Sequence, residues 1–426
     1  MRKKRIVLLY NHNNLDTNIM NPVNYEKFER EWEKQNGGNA GNKLFISAVE
    51  QYVCQDNIEY GYMDDRTPDE LNQNYDIAVL PLANILNANQ GVLKQLEWYT
   101  ELIKQLNMPV FIIGIGLQAD SYDDIGRLAR EIQEPVKKLL SAVYEKGGEL
   151  ALRGYATKEL LDKIMPNTAV VTGCPSMYQM GPDLKVDISK VSKNDFHPAI
   201  NGNLDYLEKI NMINCFKQYE NSVYLDQDEF AELMYFDERL RGIDFVQMLK
   251  LINSKTYLGM QLFCDNRIKL IYDIPVWMRY LKNFNYSCGS RIHGNIIAIL
   301  AGLPATVIVR DARTRELAEY FDIPIYSYKE DNIKDIYELY LEADYSKFNK
   351  SFVEKYNLFE SFLRTHGIVD RINDSTLFQN KRNADVWNVP MVKPGNIELI
   401  NNILLRKKGV YILADKIFRT RRKYYS

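Results

Sequence analysis

Histidine and cysteine are scarce in this chain of 426 residues. The four histidines, at positions 12, 197, 293 and 366, are far apart in sequence, and the five cysteines include no C-x-x-C pair. A histidine-rich metal site, a zinc knuckle and a disulfide framework are therefore not predicted. The simplest state of the cysteines is reduced thiols in a cytosolic protein. We expect no metal site, with a carboxylate-held magnesium ion as the alternative.

The chain also lacks a long apolar run and a strong net charge. The longest nearly apolar stretch, residues 296–309, is interrupted by Gly302 and Pro304 and is shorter than the ~20 residues of a membrane-spanning helix. The apolar stretch after the basic residues 2–5 is too short for a signal peptide and is interpreted as a first buried strand. The formal net charge of −2 gives no overall attraction to nucleic acid. We expect a cytoplasmic protein in which any anion site is local.

Short apolar runs alternate with helical patterns along the first part of the chain. Runs at residues 6–10, 77–82, 110–114, 150–153 and 169–172 predict strands, with 58–63 as a further candidate, and patterns at 92–106 and 125–144 predict helices. Apolar strands separated by helices are typical of a parallel sheet buried on both faces. Residues 1–180 are predicted to form an N-terminal Rossmann-like domain.

A second α/β region follows a predicted interdomain connection at residues 181–203. Strands are predicted at 222–225, 268–272, 284–287, 305–309 and 323–328, and helices at 204–219, 275–283, 295–302 and 313–321, whereas residues 226–266 give no clear order. Residues 204–345 are predicted to form a C-terminal Rossmann-like domain. Residues 346–426 are assigned to C-terminal helices, one of which, 350–363, crosses back onto the first domain, and to a basic tail. The predicted fold class is α/β, with two Rossmann-like domains facing across a cleft in a glycosyltransferase-B-like arrangement.

Two short motifs of basic residues dominate the second region. They are Cys-Gly-Ser-Arg-Ile-His-Gly-Asn at 288–295 and Asp-Ala-Arg-Thr-Arg-Glu at 311–316. Each falls where a predicted strand ends and a helix begins, and a helix N-terminus adds positive potential and N–H groups. Arg291 and His293 are two residues apart, so both side chains leave the same side of the backbone if the segment is extended. The pattern predicts a site for phosphate or carboxylate.

The same residues resemble the signature of the polysaccharide pyruvyl transferases. The resemblance rests on the motif at 290–295, Ala-Gly-Leu-Pro at 301–304 and Asp-Ala-Arg-Thr-Arg-Glu-Leu at 311–317, and it is dense from about residue 274 to 324. Similar motifs occur earlier, at 37–42, 114–118, 152–157 and 172–175. The chain departs from the family at Cys174, where many members have aspartate, and at residues 81–84, where a glycine-rich turn is common.

The resemblance implies an enzyme that adds pyruvate from phosphoenolpyruvate to a sugar as a ketal, without a metal or an organic cofactor. The implied acceptor is a sugar of a cell-surface or exopolysaccharide, free or lipid-linked. Planar arginine suits the phosphate and the carboxylate of the donor, and histidine suits protonation of the enol methylene. We predict His293 and Arg291 as catalytic residues. The predicted substrate-binding residues are Arg153, Arg313, Asp311, Ser290, Gly294, Asn39 and Asn42.

Individual assignments have alternatives. Arg153 at a strand end is as consistent with pairing to a neighbouring carboxylate as with substrate binding. Asp311 is as suited to orienting Arg291 or His293 as to touching substrate. Glycines 37, 38 and 41 have a simpler explanation in turning the backbone.

The function and the location have alternatives too. Glycosyltransferases and sugar-nucleotide epimerases that use a UDP-sugar share the predicted fold, and Glu316 is then the candidate for holding ribose hydroxyls. A non-enzymatic glycan-binding protein is a weaker alternative. The basic tail at 406–423 predicts either contact with the anionic inner face of the cytoplasmic membrane or a solvated terminal helix.

Overall fold

Two six-stranded parallel sheets form the framework of the computed structural model. The structure describes residues 3–10, 39–227, 257–328 and 334–370, apart from positions 54, 56, 168, 188 and 272. Glycines 37 and 38, most of the segment 226–266 and the basic tail lie outside the described residues.

The first sheet has the order β2-β1-β3-β4-β5-β6, and every pairing is parallel. Its strands are β1 (Lys4–Leu8), β2 (Ile58–Tyr62), β3 (Ile77–Pro81), β4 (Val110–Ile115), β5 (Leu150–Leu152) and β6 (Ala169–Val171). The helices between them are α1 (Ala40–Val53), α2 (Pro68–Asn74), α3 (Gln90–Gln105), α4 (Ile125–Glu145) and α5 (Tyr155–Ile164). The predicted strands and the two predicted helices of this region are confirmed.

The second sheet is also entirely parallel. Its strands are β7 (Pro198–Asn201), β8 (Val223–Asp226), β9 (Ile268–Leu270), β10 (Tyr286–Gly289), β11 (Ala305–Ile308) and β12 (Ile325–Tyr326). Its helices are α6 (Leu204–Lys209), α7 (Cys215–Gln218), α8 (Tyr257–Cys264), α9 (Ile274–Leu281), α10 (Ile292–Leu300), α11 (Ala312–Tyr320), α12 (Ile336–Glu342) and α13 (Ser346–Thr365). The order β9-β8-β7-β10-β11-β12 is that of a Rossmann fold.

Three predictions for the second region are wrong in detail. Residues 198–201, assigned to a connection, form β7 at the centre of the sheet, and all four are buried. The predicted helix at 204–219 is divided, because Asn211 between α6 and α7 has the left-handed φ of 59°. The predicted helix at 295–302 begins three residues earlier, and the strand before it is displaced to Tyr286–Gly289.

The second sheet reverses its strand order between β7 and β10. Doubly wound sheets bind ligands outside the carboxyl ends of their strands at such a switch point. The turn from β10 to α10, which carries Ser290 and Arg291, follows the carboxyl end of β10 at this point. The topology therefore places the predicted anion motif where this fold class binds its ligands.

The two halves contact each other through main-chain and side-chain groups. The Ala40 N–H donates to the Gln227 carbonyl, and the Ala312 N–H donates to the Ala119 carbonyl, each at 3.0 Å. The predicted return of the late helix is confirmed, since Phe359 of α13 stacks on Tyr178 with the ring centroids 4.9 Å apart. The predicted α/β fold of two Rossmann-like domains is confirmed. None of the helices in the described residues combines the length and the apolarity that a bilayer crossing requires.

Candidate functional site

A buried network of amide groups fixes the turn between β10 and α10. Asn201, the last residue of β7, accepts from the Arg291 backbone N–H at 3.0 Å and donates to Asn295 Oδ1 at 2.9 Å. Asn295 in turn donates to the Gly289 carbonyl at 2.8 Å. Both asparagines are fully buried, and a satisfied polar network in such surroundings holds one geometry. The turn that carries Ser290 and Arg291 is therefore fixed by hydrogen bonds with Asn201 of β7 and with Asn295 of α10.

Arg291 is the last extended residue before α10, with φ −90° and ψ 103°. The helix begins with Ile292, so His293 is already its second residue, and the two predicted catalytic side chains do not share an extended segment. The N-terminus of α10 has no side-chain cap. Its first N–H groups and the positive end of the helix favour an anion in front of the turn.

Two arginines, one from each half, lie close enough to His293 to lower its pKa. Arg153 follows β5, whereas His293 and Arg313 lie in the first turns of α10 and α11. Burial lowers the pKa of His293 well below its usual range, and the charges of Arg153 and Arg313 lower it further. Burial also lowers the pKa of Arg153, and Arg313 acts in the same direction. The imidazole is therefore neutral at pH 7, beside two guanidinium groups.

Arg153 is fully buried, and its hydrogen-bond partner is an amide rather than a carboxylate. Its Nη1 donates to Asn84 Oδ1 at 2.7 Å, and the guanidinium lies 4.9 Å from the centroid of the Phe45 ring. Asn84 ends the stretch at which the chain departs from the family pattern, and it takes the left-handed φ of 53° that asparagine tolerates. Arg153 Nε and Nη2 have no hydrogen-bond partner among the described residues.

Several other buried polar atoms of this region also lack a partner within the described part of the chain. They are Ser290 Oγ, His293 Nε2, Arg313 Nε and Gln227 Nε2. Leaving a buried polar group unsatisfied costs about 1–3 kcal/mol. Their concentration where the two halves meet makes this region the candidate ligand site.

The first turn of α1 lies against His293. Asn39 Oδ1 accepts from the Gly41 N–H at 2.8 Å, and the Asn42 N–H donates to the Asn39 carbonyl at 3.1 Å. A Cβ at Gly41 would lie only 2.9 Å from the Cβ of His293. Glycine 41 is thus needed for the close approach of the two helix starts, in addition to any role in turning the chain. Asn39 and Asn42 are brought to the same region as His293.

Asp311 caps α11 rather than contacting Arg291 or His293 through a described hydrogen bond. Its Oδ1 accepts from the Thr314 N–H at 2.8 Å, and its Oδ2 lies 3.4 Å from Arg313 Nη2. The carboxylate therefore fixes the start of α11 and the guanidinium that projects from it.

Glu316 joins α11 to the N-terminus of α5 across the domain boundary. Its Oε1 accepts from the Thr157 N–H at 2.5 Å and its Oε2 from Thr157 Oγ1 at 2.9 Å. The residue is 3% exposed, and burial raises the pKa of its carboxyl to about 7 although these hydrogen bonds lower it. Both carboxyl oxygens of Glu316, the candidate for binding ribose hydroxyls, are thus engaged by the protein itself.

Residues that the sequence analysis did not single out complete the site. The local signal at Asn201 is limited to the Asn-Gly dipeptide, which marks a turn. Gln227 carries no such local signal. Asn84 and Thr157 fall in segments that were compared with the family, but only the tertiary structure brings their side chains to the motif residues. Among the described residues, no group of three or more histidine, cysteine or acidic side chains is placed to bind a metal ion.

Comparisons with solved structures give distant similarities. A UDP co-structure of MnaA from S. aureus has 11% identity and a TM-score of 0.41, and the match covers 87% of this chain and 99% of the other. A putative UDP-N-acetylglucosamine 2-epimerase from Listeria monocytogenes has 10% identity and a TM-score of 0.36, with 88% and 94% covered. An uncharacterised protein from Klebsiella pneumoniae has 11% identity and a TM-score of 0.39, with 76% and 93% covered. These similarities are too distant to bear on function.

Comparisons of sequence give one informative result. No curated protein matches the chain. The sequence model of the polysaccharide pyruvyl transferases matches residues 17–312, well over half of the 426 residues. The matched segment includes Arg153, the turn after β10 and His293. The chain belongs to the polysaccharide pyruvyl transferase family.

Proposed function

We propose that the chain transfers pyruvate from phosphoenolpyruvate to a saccharide, forming a ketal and releasing phosphate. The observation that carries this proposal is the meeting of Arg153, Arg313 and His293 between the two halves, with nitrogen atoms that lack partners among the described residues. A ligand with two anionic groups and a centre that must be protonated matches this set.

The guanidinium groups bind the donor. Phosphoenolpyruvate carries a phosphate and a carboxylate on one enol carbon, and planar arginine can donate two parallel hydrogen bonds to either group. Arg153 offers two nitrogen atoms without a described partner, and Arg313 offers one. Arg291 supplies a further guanidinium at the uncapped start of α10. Asp311 holds Arg313, and Ser290 and Gly294 line the same turn.

His293 is the proton donor in this proposal. The imidazole is neutral because burial and two guanidinium charges lower its pKa. Binding of an anionic donor offsets those charges and raises the pKa, so the imidazole takes up a proton together with the donor. His293 then delivers that proton to the enol methylene, which becomes the methyl group of the product.

The remaining steps of the proposed reaction need no oxidant and no reductant. Protonation of the methylene leaves an oxocarbenium-like C2, and a sugar hydroxyl attacks it while its proton passes to the now neutral imidazole. The C2–O bond to phosphate breaks, and the phosphate departs with the bonding electrons. A second hydroxyl of the same sugar attacks C2, and its proton leaves with the phosphate. The products are the ketal and inorganic phosphate.

The state of Glu316 supports phosphoenolpyruvate over a UDP-sugar as donor. The rival glycosyltransferase or epimerase function needs a carboxylate that is available to ribose hydroxyls. Both carboxyl oxygens of Glu316 accept hydrogen bonds from Thr157, and the residue is buried. A UDP-sugar would have to break this contact between the halves in order to use Glu316.

The proposal extends to the acceptor and the location. The acceptor is a saccharide of a cell-surface or exopolysaccharide, or its lipid-linked precursor, bound beside Asn39 and Asn42. No metal ion and no organic cofactor takes part in the proposed chemistry. The proposed location of the reaction is the cytoplasm.

Thermal unfolding with single ligands tests the proposal. A ligand that binds only the native state stabilises it by about 2.7 kcal/mol at one hundred times its Kd. Phosphoenolpyruvate is expected to raise the Tm saturably, whereas UDP-glucose and UDP-N-acetylglucosamine should leave it nearly unchanged. A saturable shift with a UDP-sugar and none with phosphoenolpyruvate would transfer the assignment to the glycosyltransferase or epimerase function.

A further inference from the structure

A hydrogen bond to the backbone carbonyl of Gln227 holds this residue at the boundary between the two halves. Gln227 follows β8 at the carboxyl end of the second sheet, one strand away from the switch point. Its carbonyl accepts from the N–H of Ala40, the first residue of α1 in the other half, at 3.0 Å. The residue is 3% exposed. The side chain of Gln227 therefore projects from a fixed point.

The amide of Gln227 lies between the first turns of two helices. A Cβ at Gly41, in α1, would lie 2.5 Å from Gln227 Oε1, and a Cβ at Gly294, in α10, would lie 2.7 Å from Gln227 Nε2. The same Gly41 position is 2.9 Å from the Cβ of His293. Glycine at both places leaves the space that the amide fills. Gln227 is thus a neighbour of His293 on the side of α1.

The Nε2 group of Gln227 has no hydrogen-bond partner in the described part of the chain. A buried amide N–H is a donor only, so what it lacks is an acceptor oxygen. The first turns of α1 and α10, which are the positive ends of these helices, lie beside this amide. Arg153 and Arg313 are close enough to lower the pKa of His293. An oxygen that is stabilised in these surroundings carries negative charge.

We propose that Gln227 is a ligand-binding residue whose side-chain amide donates a hydrogen bond to an anionic oxygen held between the N-termini of α1 and α10. The inference rests on the proposed function in that phosphoenolpyruvate supplies this oxygen. Its phosphate and its carboxylate share the required chemistry. As a neutral donor, Gln227 adds a directed contact without adding charge next to His293.

Two substitutions at this position separate the effect of losing the hydrogen-bond donor from the effect of changing the size of the side chain. Gln227→Met keeps the length of the side chain and removes the donor. Gln227→Glu keeps the shape, retains one carbonyl-like oxygen and places a negative charge where the donor was. The matched control is Gln218→Met, because Gln218 is an exposed glutamine whose Nε2 donates to Asp335 at 2.9 Å, far along the chain from the motif residues.

The measurement is calorimetric titration of the full chain with phosphoenolpyruvate, inorganic phosphate and pyruvate, after circular dichroism has verified folding. A hydrogen bond to a charged group accounts for about 10- to 100-fold in affinity, so Gln227→Met should weaken phosphoenolpyruvate binding by that factor. Gln227→Glu should weaken it further, and Gln218→Met should match the wild type. A parallel loss for inorganic phosphate places the contact at the phosphate, and a loss for pyruvate places it at the carboxylate.

The outcomes distinguish this inference from the proposed function. Unchanged affinity in Gln227→Met or in Gln227→Glu, with tight binding by the wild type, would overturn the role of Gln227 alone. If the wild type binds inorganic phosphate but not phosphoenolpyruvate, the proposed function fails, and a weaker phosphate affinity in the variants still supports the anion contact. A wild type that binds none of the three anions contradicts both.

Discussion

At the scale of single residues, a substitution of His293 can distinguish a role in donor binding from a role in proton transfer. His293→Gln removes the proton donor and keeps a polar side chain of similar reach, while Arg153 and Arg313 are unchanged. Affinity for phosphoenolpyruvate should stay within a few-fold, whereas turnover should fall by a factor on the order of 10² to 10⁴. Calorimetric Kd values and phosphate release, measured on one preparation, test this prediction. Equal losses in both quantities would identify His293 as an anion ligand instead.

The low pKa of His293 adds a second readout for the same variant. The wild-type imidazole is neutral at pH 7 in this structure and is expected to gain a proton when an anion arrives. Titrations in two buffers of different ionisation enthalpy should therefore reveal proton uptake by the wild type. His293→Gln should show less uptake at the same pH, and an unchanged value would exclude the imidazole as the group that is protonated.

At the scale of elements, the close approach of α1 and α10 depends on Gly41. Gly41→Ala places a Cβ 2.5 Å from Gln227 Oε1 and 2.9 Å from the Cβ of His293, so α1 must move away from α10. We expect weaker binding of phosphoenolpyruvate and a lower Tm. The control is Gly126→Ala in α4, where the new Cβ has only a 3.9 Å neighbour and alanine favours the helix by about 0.8–1.0 kcal/mol. Equal effects of the two substitutions would contradict the close approach.

The sequence alone predicts some strands and helices better than others. Long apolar runs such as that of β4 predict strands, because each alone satisfies the pattern of a buried strand. The four residues of β7 do not satisfy that pattern, because they are few and begin with proline. Proline is nevertheless tolerated as the first residue of a strand. The sequence predicts the start of α10 three residues late, because Arg291, which occupies the N-cap, is not a usual N-cap residue.

The site was predictable only in the part that is local in sequence. Arg153, His293 and Arg313 each follow a strand in a short motif, and the structure brings the three together, while their catalytic and binding roles stay predictions. Asn84 and Gln227 follow strands as well, but nothing in their neighbours distinguishes them from surface amides. Their positions depend on contacts with residues far away along the chain, which no local pattern reports.

At the scale of the whole molecule, Glu316 makes the joint between the halves sensitive to pH. Burial raises the pKa of its carboxyl from the ordinary 4.5 to about 7. Between these values the native state binds more protons than the unfolded state, so the contribution of Glu316 to stability falls as the pH rises through 7. Because a shift of one unit is worth 1.36 kcal/mol, the loss is on the order of 3 kcal/mol.

Glu316→Gln should remove this pH dependence while keeping an oxygen for the Thr157 N–H. Urea unfolding at pH 5 and pH 8 should therefore show the variant gaining stability relative to the wild type at the higher pH. Glu319→Gln controls for the contact itself, since Glu319 accepts from Tyr122 at 2.7 Å across the same boundary. A constant difference between Glu316→Gln and wild type at both pH values would refute the prediction.

The return of α13 onto the first half is expected to make unfolding cooperative. Phe359 is fully buried and stacks on Tyr178 at 4.9 Å. Phe359→Ala should lower the free energy of unfolding by about 3–5 kcal/mol, the usual cost of such a truncation in a core. Its neighbour Leu358 is 44% exposed, so Leu358→Ala should cost much less. Denaturant unfolding of both variants measures the difference, and similar losses would contradict the packing.

The main-chain hydrogen bonds that Ala40 and Ala312 donate across the boundary between the halves disfavour proline at these two positions, where it would otherwise be well tolerated. Ala40 and Ala312 are the first residues of α1 and α11, where proline is over-represented in helices because the N–H has no partner within the helix. Here each of these N–H groups donates across the boundary at 3.0 Å. Many other side chains leave that donor in place, but proline deletes it. Sequences that keep this joint can therefore vary at both positions while excluding the residue that helix statistics favour.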